Sequence, residues 1–225
     1  IGEIGLRDLD VAIQDKGSVG AERLAIGGFK FPAPDLVVAS VFASLGGAEF
    51  DPTPMIPTMG FAEAVGVDVT QGGKKLGAVD RARIDLDAYI GPVPTSITSD
   101  VRGLDLDLSQ IDDRRAREMI KGLGYDRLVA DYGFHLSWRE ADESVILDGF
   151  KLAIKDLATM NVDATLTGLT RQAIEDPKAL EGALASLLFT RGKPSIEDKS
   201  IVERAVGMQA KKMNVEPDKF RQQIA

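Results

Sequence analysis

The chain has 225 residues, a net charge of −8 from 27 lysines and arginines against 35 aspartates and glutamates, no cysteine and one histidine. Absence of cysteine excludes disulfides, thiolate nucleophiles, iron–sulfur ligation and cysteine-based zinc sites, and a lone histidine excludes paired-histidine metal centres and most imidazole relays. The acidic balance speaks against a general nucleic-acid binder, which needs a basic face to displace counterions.

With 44% hydrophobic residues there is material for a substantial core. No stretch reaches the roughly 18 apolar residues that a membrane-spanning helix needs. The chain begins with Ile1 rather than Met, which implies a trimmed N-terminus and leaves room for an export or anchor segment upstream.

Period-two alternation dominates and predicts strands. The clearest run is Leu128, Ala130, Tyr132, Phe134, Leu136 and Trp138, with mostly polar or small residues interleaved; Ile84, Leu86, Ala88 and Ile90 form another, and Met160, Val162, Ala164 and Leu166 a third. One apolar and one polar face is the pattern of an antiparallel sheet. In several places the apolar row skips one residue. Ile4 and Leu6 give way to Leu9, Val11 and Ile13; Leu24 and Ile26 to Phe29 and Phe31; Ser99 and Val101 to Leu104, Leu106 and Leu108; Val145 and Leu147 to Phe150, Leu152 and Ile154. At the skips stand Arg7-Asp8, Gly27-Gly28, Arg102-Gly103 and Asp148-Gly149. An extra residue sends the row to the opposite face unless the strand bulges there, so the repeat predicts bulged strands and a strongly curved sheet.

About four amphipathic helices are expected, packed on the sheet or at its ends. Pro34-Asp35 opens one that ends near Gly46-Gly47; Ser109 with Asp112 resembles a capping box before Met119, Ile120 and Leu123; Asp176-Pro177 starts a third through Leu187 and Leu188; and Asp198 caps a fourth over about 200–213, followed by a short turn from Glu216-Pro217. The fold class is therefore α+β, a single domain over 1–225. The bulged motif recurs on both sides of Ser109, compatible with two related halves, 1–107 and 108–225, although one continuous sheet is simpler.

Few residues invite chemistry. His135 lies on the polar side of its strand with no triad partner nearby in sequence, and is read as solvent-facing or locally bonded. Asp8/Asp10, Asp85/Asp87 and Asp105/Asp107 have the spacing that puts two carboxylates on one strand face, and Asp112/Asp113 sit in the first turn of a helix; they read as solvated surface rather than a glycosidase pair or calcium site. "TQGGKKLG", after Val65, Val67 and Val69, is a hairpin turn, not a phosphate loop. Arg114, Arg115, Arg117, Lys211 and Lys212 read as the wet sides of helices, with contact to an anionic membrane face as the alternative.

The segments "IGLRDLDVAI", "VRGLDLDL" and "VILDGFKLAIKDLATMNVDATLTGL", most clearly over residues 79–170, resemble the texture of AsmA-like proteins of the bacterial envelope. That resemblance implies a curved β-groove associated with lipid transfer; the short chain and its helices depart from that class and imply a compact module. The expectation is a non-enzymatic periplasmic or envelope protein that binds a lipid or other hydrophobic ligand, with neither cofactor nor metal. The expected apolar groove is lined by Tyr132, Phe134, Leu136, Trp138, Phe150, Leu152, Ile154, Val162, Leu166, Ile84 and Leu86. The alternatives are an ordinary core in which the helices fill that face, and an assembly module that binds an envelope protein partner.

Overall fold

A computed structural model describes residues 2–13, 17–47, 52, 55–110 and 113–224. Nine strands form one sheet in sequence order, every pair antiparallel: β1 (Glu3–Ile13), β2 (Gly17–Gly27), β3 (Phe61–Gln71), β4 (Lys74–Ile90), β5 (Val93–Asp107), β6 (Arg127–Arg139), β7 (Ser144–Ile154), β8 (Ala158–Thr167) and β9 (Leu188–Asp198). β1 and β9 do not pair, so the sheet is open with two free edges. Helix α1 (Pro34–Leu45) lies in the β2–β3 crossover, α2 (Arg114–Gly122) between β5 and β6, α3 (Arg171–Glu175) and α4 (Pro177–Ala185) between β8 and β9, and α5 (Ile201–Lys212) and α6 (Pro217–Ile224) follow β9.

Among the described residues there are six α-helices where about four were expected. α3 is five residues long, too short for a periodic signal, and is capped by Thr170, whose Oγ1 accepts from Ala173 N at 3.2 Å. The segment from Pro217, expected as a turn, is a two-turn helix. Asp176 and Asp198 cap as expected, accepting from Lys178 N at 2.9 Å and Ile201 N at 2.8 Å. The second helix starts later than expected, at Arg114, after a 3-10 turn over Leu108–Gln110; Asp113 Oδ1 accepts from Arg115 N at its start, and Asp112 lies outside the described residues. Leu188 belongs to a strand rather than a helix. β9 was not anticipated because Gly192 and Pro194 interrupt its alternation, which an edge strand tolerates since one side of its backbone needs no ladder partner.

The apolar skips are structural. Paired residues share a face, and β6 alternates without interruption, so its partners fix the faces of the other strands. Val101 pairs with Tyr132 and Leu104 with Ala130, leaving Arg102 and Gly103 opposite the single Asp131. The same offset runs back to β1 through pairs Ala82–Val101, Ala64–Ala82, Leu24–Ala64 and Leu6–Leu24 on one side, and Val67–Val79, Ala21–Val67 and Leu9–Ala21 on the other. Asp8, Gly66 and Gly103 in this row have φ of 51°, 59° and 62°. A second offset places Asp148 and Gly149 opposite Asp163, with Gly149 at φ 60°. Asp131 and Asp163 each accept the amide N–H of the facing glycine, from Gly103 at 2.8 Å and Gly149 at 2.9 Å. The expected skip at Gly27-Gly28 is instead the end of β2, where Gly28, at φ 69°, begins the crossover.

Candidate functional site

The register puts all eleven expected lining residues on one face. Ile84 and Leu86 pair with Ser99 and Ile97, which pair in turn with Phe134 and Leu136; Tyr132 and Trp138 pair with Leu152 and Val145; and Ile154, Phe150 and Val145 meet Ala158, Val162 and Leu166. The face continues into β1 and β2 through Ile4, Leu6, Ile26 and Val11, and into β9 through Ile196 and Phe189. It is apolar because each offset returns the hydrophobic row to the same side.

Coverage of this face is uneven. Val145, Leu169, Ala173 and Ile174 form a buried cluster against which Leu136, Trp138, Leu166, Leu180, Ala183 and Leu187 pack, so α3 and α4 cap one end of it. The Trp138 indole N–H donates to the Leu169 carbonyl at 2.8 Å, tying the strand to the start of α3. Leu136, Trp138 and Leu166 are thus under a helical cap rather than in open space. Elsewhere large side chains meet solvent: Ile4 is 65%, Leu6 59% and Ile196 69% exposed. All eleven lining residues are half-buried and none fully so. Of the ten fully buried apolar residues described, six are alanines, and the two largest, Leu169 and Ile174, belong to that capped cluster.

At the other end α5 packs on α2 and the segment after it. Met208 lies against Gly122, Arg204 donates to the Leu123 carbonyl at 3.1 Å and stacks over Tyr125 with its guanidinium 4.3 Å from the ring centre, and Tyr125 shares a 3.0 Å hydrogen bond with Ser200. Arg114, Arg115 and Arg117 are exposed on α2, where Arg114 pairs with Glu118, and Lys211 and Lys212 are exposed in the last turn of α5.

The opposite face is polar and ion-paired. Glu63 on β3, 6% exposed at its side chain, accepts from Arg81 Nε at 2.9 Å and pairs with Arg23 and Arg83; Arg83 also lies 4.3 Å over the Phe61 ring. The Arg81 hydrogen bond, with the surrounding guanidinium charges, holds the Glu63 carboxyl below the usual range. Asp85 pairs with Arg83, Asp105 with Arg127, and Asp107 accepts from Ser109 N at 2.9 Å. These carboxylates are engaged locally, and Asp8, at φ 51°, breaks the plain alternation with Asp10.

A concavity of about 700 Å³ opens on the polar face above Gly133, which sequence reasoning did not single out. Thr98, Asp100, Asp131, His135, Asp148 and Lys151 are among its lining residues. Within it His135 Nδ1 and Thr98 Oγ1 share a 3.0 Å hydrogen bond, and Arg102 pairs with Asp100 at 2.9 Å. The absent side chain of Gly133 was the available signal. Among the described residues no group of three histidines or carboxylates is arranged to hold a metal, and no helix is long and apolar enough to cross a membrane.

A family model described only as an uncharacterized protein matches residues 151–225, from β7 to the C-terminal helices. No curated protein and no solved structure matches the chain.

Proposed function

We propose that this chain is a non-enzymatic protein of the bacterial envelope that holds or transfers a lipid or another hydrophobic ligand on the apolar face of its sheet. The observation that carries this reading is the continuous apolar row from Ile4 to Phe189, capped by helices at one end and wet elsewhere. A globular sheet ordinarily buries such a face under a second layer, and exposed apolar patches of this extent mark binding surfaces. An acyl chain asks for apolar contact over a long track and little hydrogen bonding, which this face offers. The likeness of the bulged strands to AsmA-like proteins supports a periplasmic placement.

The reading is tested by native mass spectrometry and organic extraction of the purified chain. Lipid is expected to co-purify, and a folded protein free of it at every stage would overturn the reading. A second reading, an assembly module for an envelope protein partner, is favoured by the two unpaired edge strands, of which β9 is exposed along its whole length. It predicts a lipid-free chain and a partner recovered by pull-down.

A further inference from the structure

Strand β9 is exposed along all eleven of its residues, Leu188, Phe189 and Ile196 among them. Its charges are ordered along the chain, with cations at Arg191 and Lys193 and an anion at Glu197. None of the three has an ion-pair partner among the described residues; Asp163, which stands opposite Lys193, accepts the Gly149 amide instead.

The ladder with β8 decides which backbone groups of β9 remain free. Lys199 N donates to the Leu157 carbonyl at 3.0 Å, in register with the Ala158–Asp198 pair, and antiparallel bonds alternate along a strand. Glu197, Ser195 and Lys193 therefore turn their N–H and C=O groups toward β8, while Asp198, Ile196, Pro194 and Gly192 turn theirs to the free edge. Pro194 agrees with this assignment, since it has no N–H to give to β8.

We infer that β9 pairs antiparallel with β9 of a second copy of the chain, about a two-fold axis that passes beside Ser195 and stands normal to the sheet. In this register Gly192 meets Asp198 of the second copy, Lys193 meets Glu197, Pro194 meets Ile196, and Ser195 meets its own counterpart. The outward residues exchange N–H···O=C bonds across the axis, with Pro194 supplying only its carbonyl. Lys193 and Glu197 come together on the polar face once on each side of the axis, in the non-hydrogen-bonded position where opposed side chains are closest. Lysine and proline on an edge strand resist indiscriminate pairing, and here they remove the neighbouring registers. An axis beside Pro194 opposes two residues without N–H groups, one beside Lys193 opposes two lysines, and one beside Ile196 sets Lys193 against Lys199. The register that survives is self-complementary, as a closed two-fold interface requires. Because the axis is normal to the sheet, the apolar faces of both copies look the same way and join into one track. The inference does not depend on the ligand reading, and it commits the β9 edge to the chain itself rather than to another protein.

Sedimentation velocity of the purified chain is expected to show a monomer–dimer equilibrium. Lys193→Glu, which opposes carboxylates on both sides of the axis, should raise the dimer dissociation constant about tenfold or more. The double variant Lys193→Glu/Glu197→Lys should restore it, a reciprocal rescue that a loss of packing would not give. Both should retain any co-purifying lipid, so failure of this inference and failure of the ligand reading are told apart. Because the chain lacks cysteine, Ser195→Cys places two thiols across the axis in a non-hydrogen-bonded pair, whose Cα separation of about 4.5 Å suits a disulfide. Mild oxidation should give a covalent dimer of Ser195→Cys and none of Asp10→Cys, on the other free edge. A mass that stays monomeric up to the highest soluble concentration would overturn the inference. So would a dimer indifferent to Lys193→Glu, or one that cross-links through position 10 and not through 195.

Discussion

The apolar face behaves as two different surfaces. Around Val145 it lies beneath α3 and α4, with Ile174 only 2% exposed and the Trp138 indole fixed to the Leu169 carbonyl. On β1 and β2 residues of the same type, on the same face, meet solvent: Leu6 is 59% and Ile26 39% exposed. Strand chemistry does not distinguish them; what differs is the crossover. The β8–β9 connection turns the apolar sides of two capped helices back onto the sheet, whereas the β2–β3 connection carries α1, whose large side chains point away from the protein.

The sharpest way to break this comparison is at the covered end. Ile174→Ala removes a buried side chain from a cluster that cannot readily collapse, and urea denaturation should show a loss of about 2–5 kcal/mol. A loss below about 1 kcal/mol would mean the cap is loosely packed and the two regions are alike.

The offsets that keep the face apolar come next. Gly103, at φ 62°, has Asp80 Oδ2 2.1 Å from where a Cβ would sit, whereas Gly149, at φ 60°, faces open space. Both alanine variants incur the left-handed penalty of about 1–2 kcal/mol, and Gly103→Ala must also displace a carboxylate, so it should lose about 2–3 kcal/mol in total. Equal losses would show that Asp80 moves freely and that backbone conformation alone sets the offset.

On the polar face Glu63→Gln should cost about 1–3 kcal/mol at neutral pH, because three arginines lose a shared buried charge. The Glu63 carboxyl is held below its ordinary value, so its stabilisation is fully present above the unfolded-state pKa near 4.5 and is lost as pH falls through the lower folded value. The difference between wild type and Glu63→Gln should therefore shrink on acidification; a difference independent of pH would show that packing, not charge, is what Gln disturbs.

Much of this design was legible in the residues. Asp8, Gly103 and Gly149 stand where the apolar rows of β1, β5 and β7 skip, and Asp176 and Asp198 cap the helices they precede. Val65, Val67 and Val69 read as one unbroken row, yet Gly66 lies between Val65, paired with Arg81, and Val67, paired with Val79, and puts the two on opposite faces. A β-branched residue satisfies either face, so the row carried no mark of the offset. The eleven lining residues follow from alternation alone, but their partial coverage does not, since it depends on α3, too short to be periodic; β9 is likewise hidden, because Gly192 and Pro194 interrupt a strand that only pairing with β8 reveals. The polar-face concavity above Gly133 had the absent side chain of that glycine as its one mark in the sequence, and alternation alone does not show where the flanking strands leave room.

The smallest change in stability is expected at the bare region. Leu6, 59% exposed on edge strand β1, has little packing to lose, so Leu6→Asp should alter the free energy of unfolding by no more than about 0.5 kcal/mol. Its effect should appear in ligand content instead, because a carboxylate placed among Ile4, Leu24 and Ile26 must be desolvated by any acyl chain laid across the face. Native mass spectrometry should show co-purifying lipid reduced in Leu6→Asp and unchanged in a substitution on the polar face of the same strand, such as Ala12→Ser. If Leu6→Asp instead destabilises the chain as much as Ile174→Ala, the face of β1 and β2 is covered in solution, and the contrast between the two regions reflects a cap that closes over both.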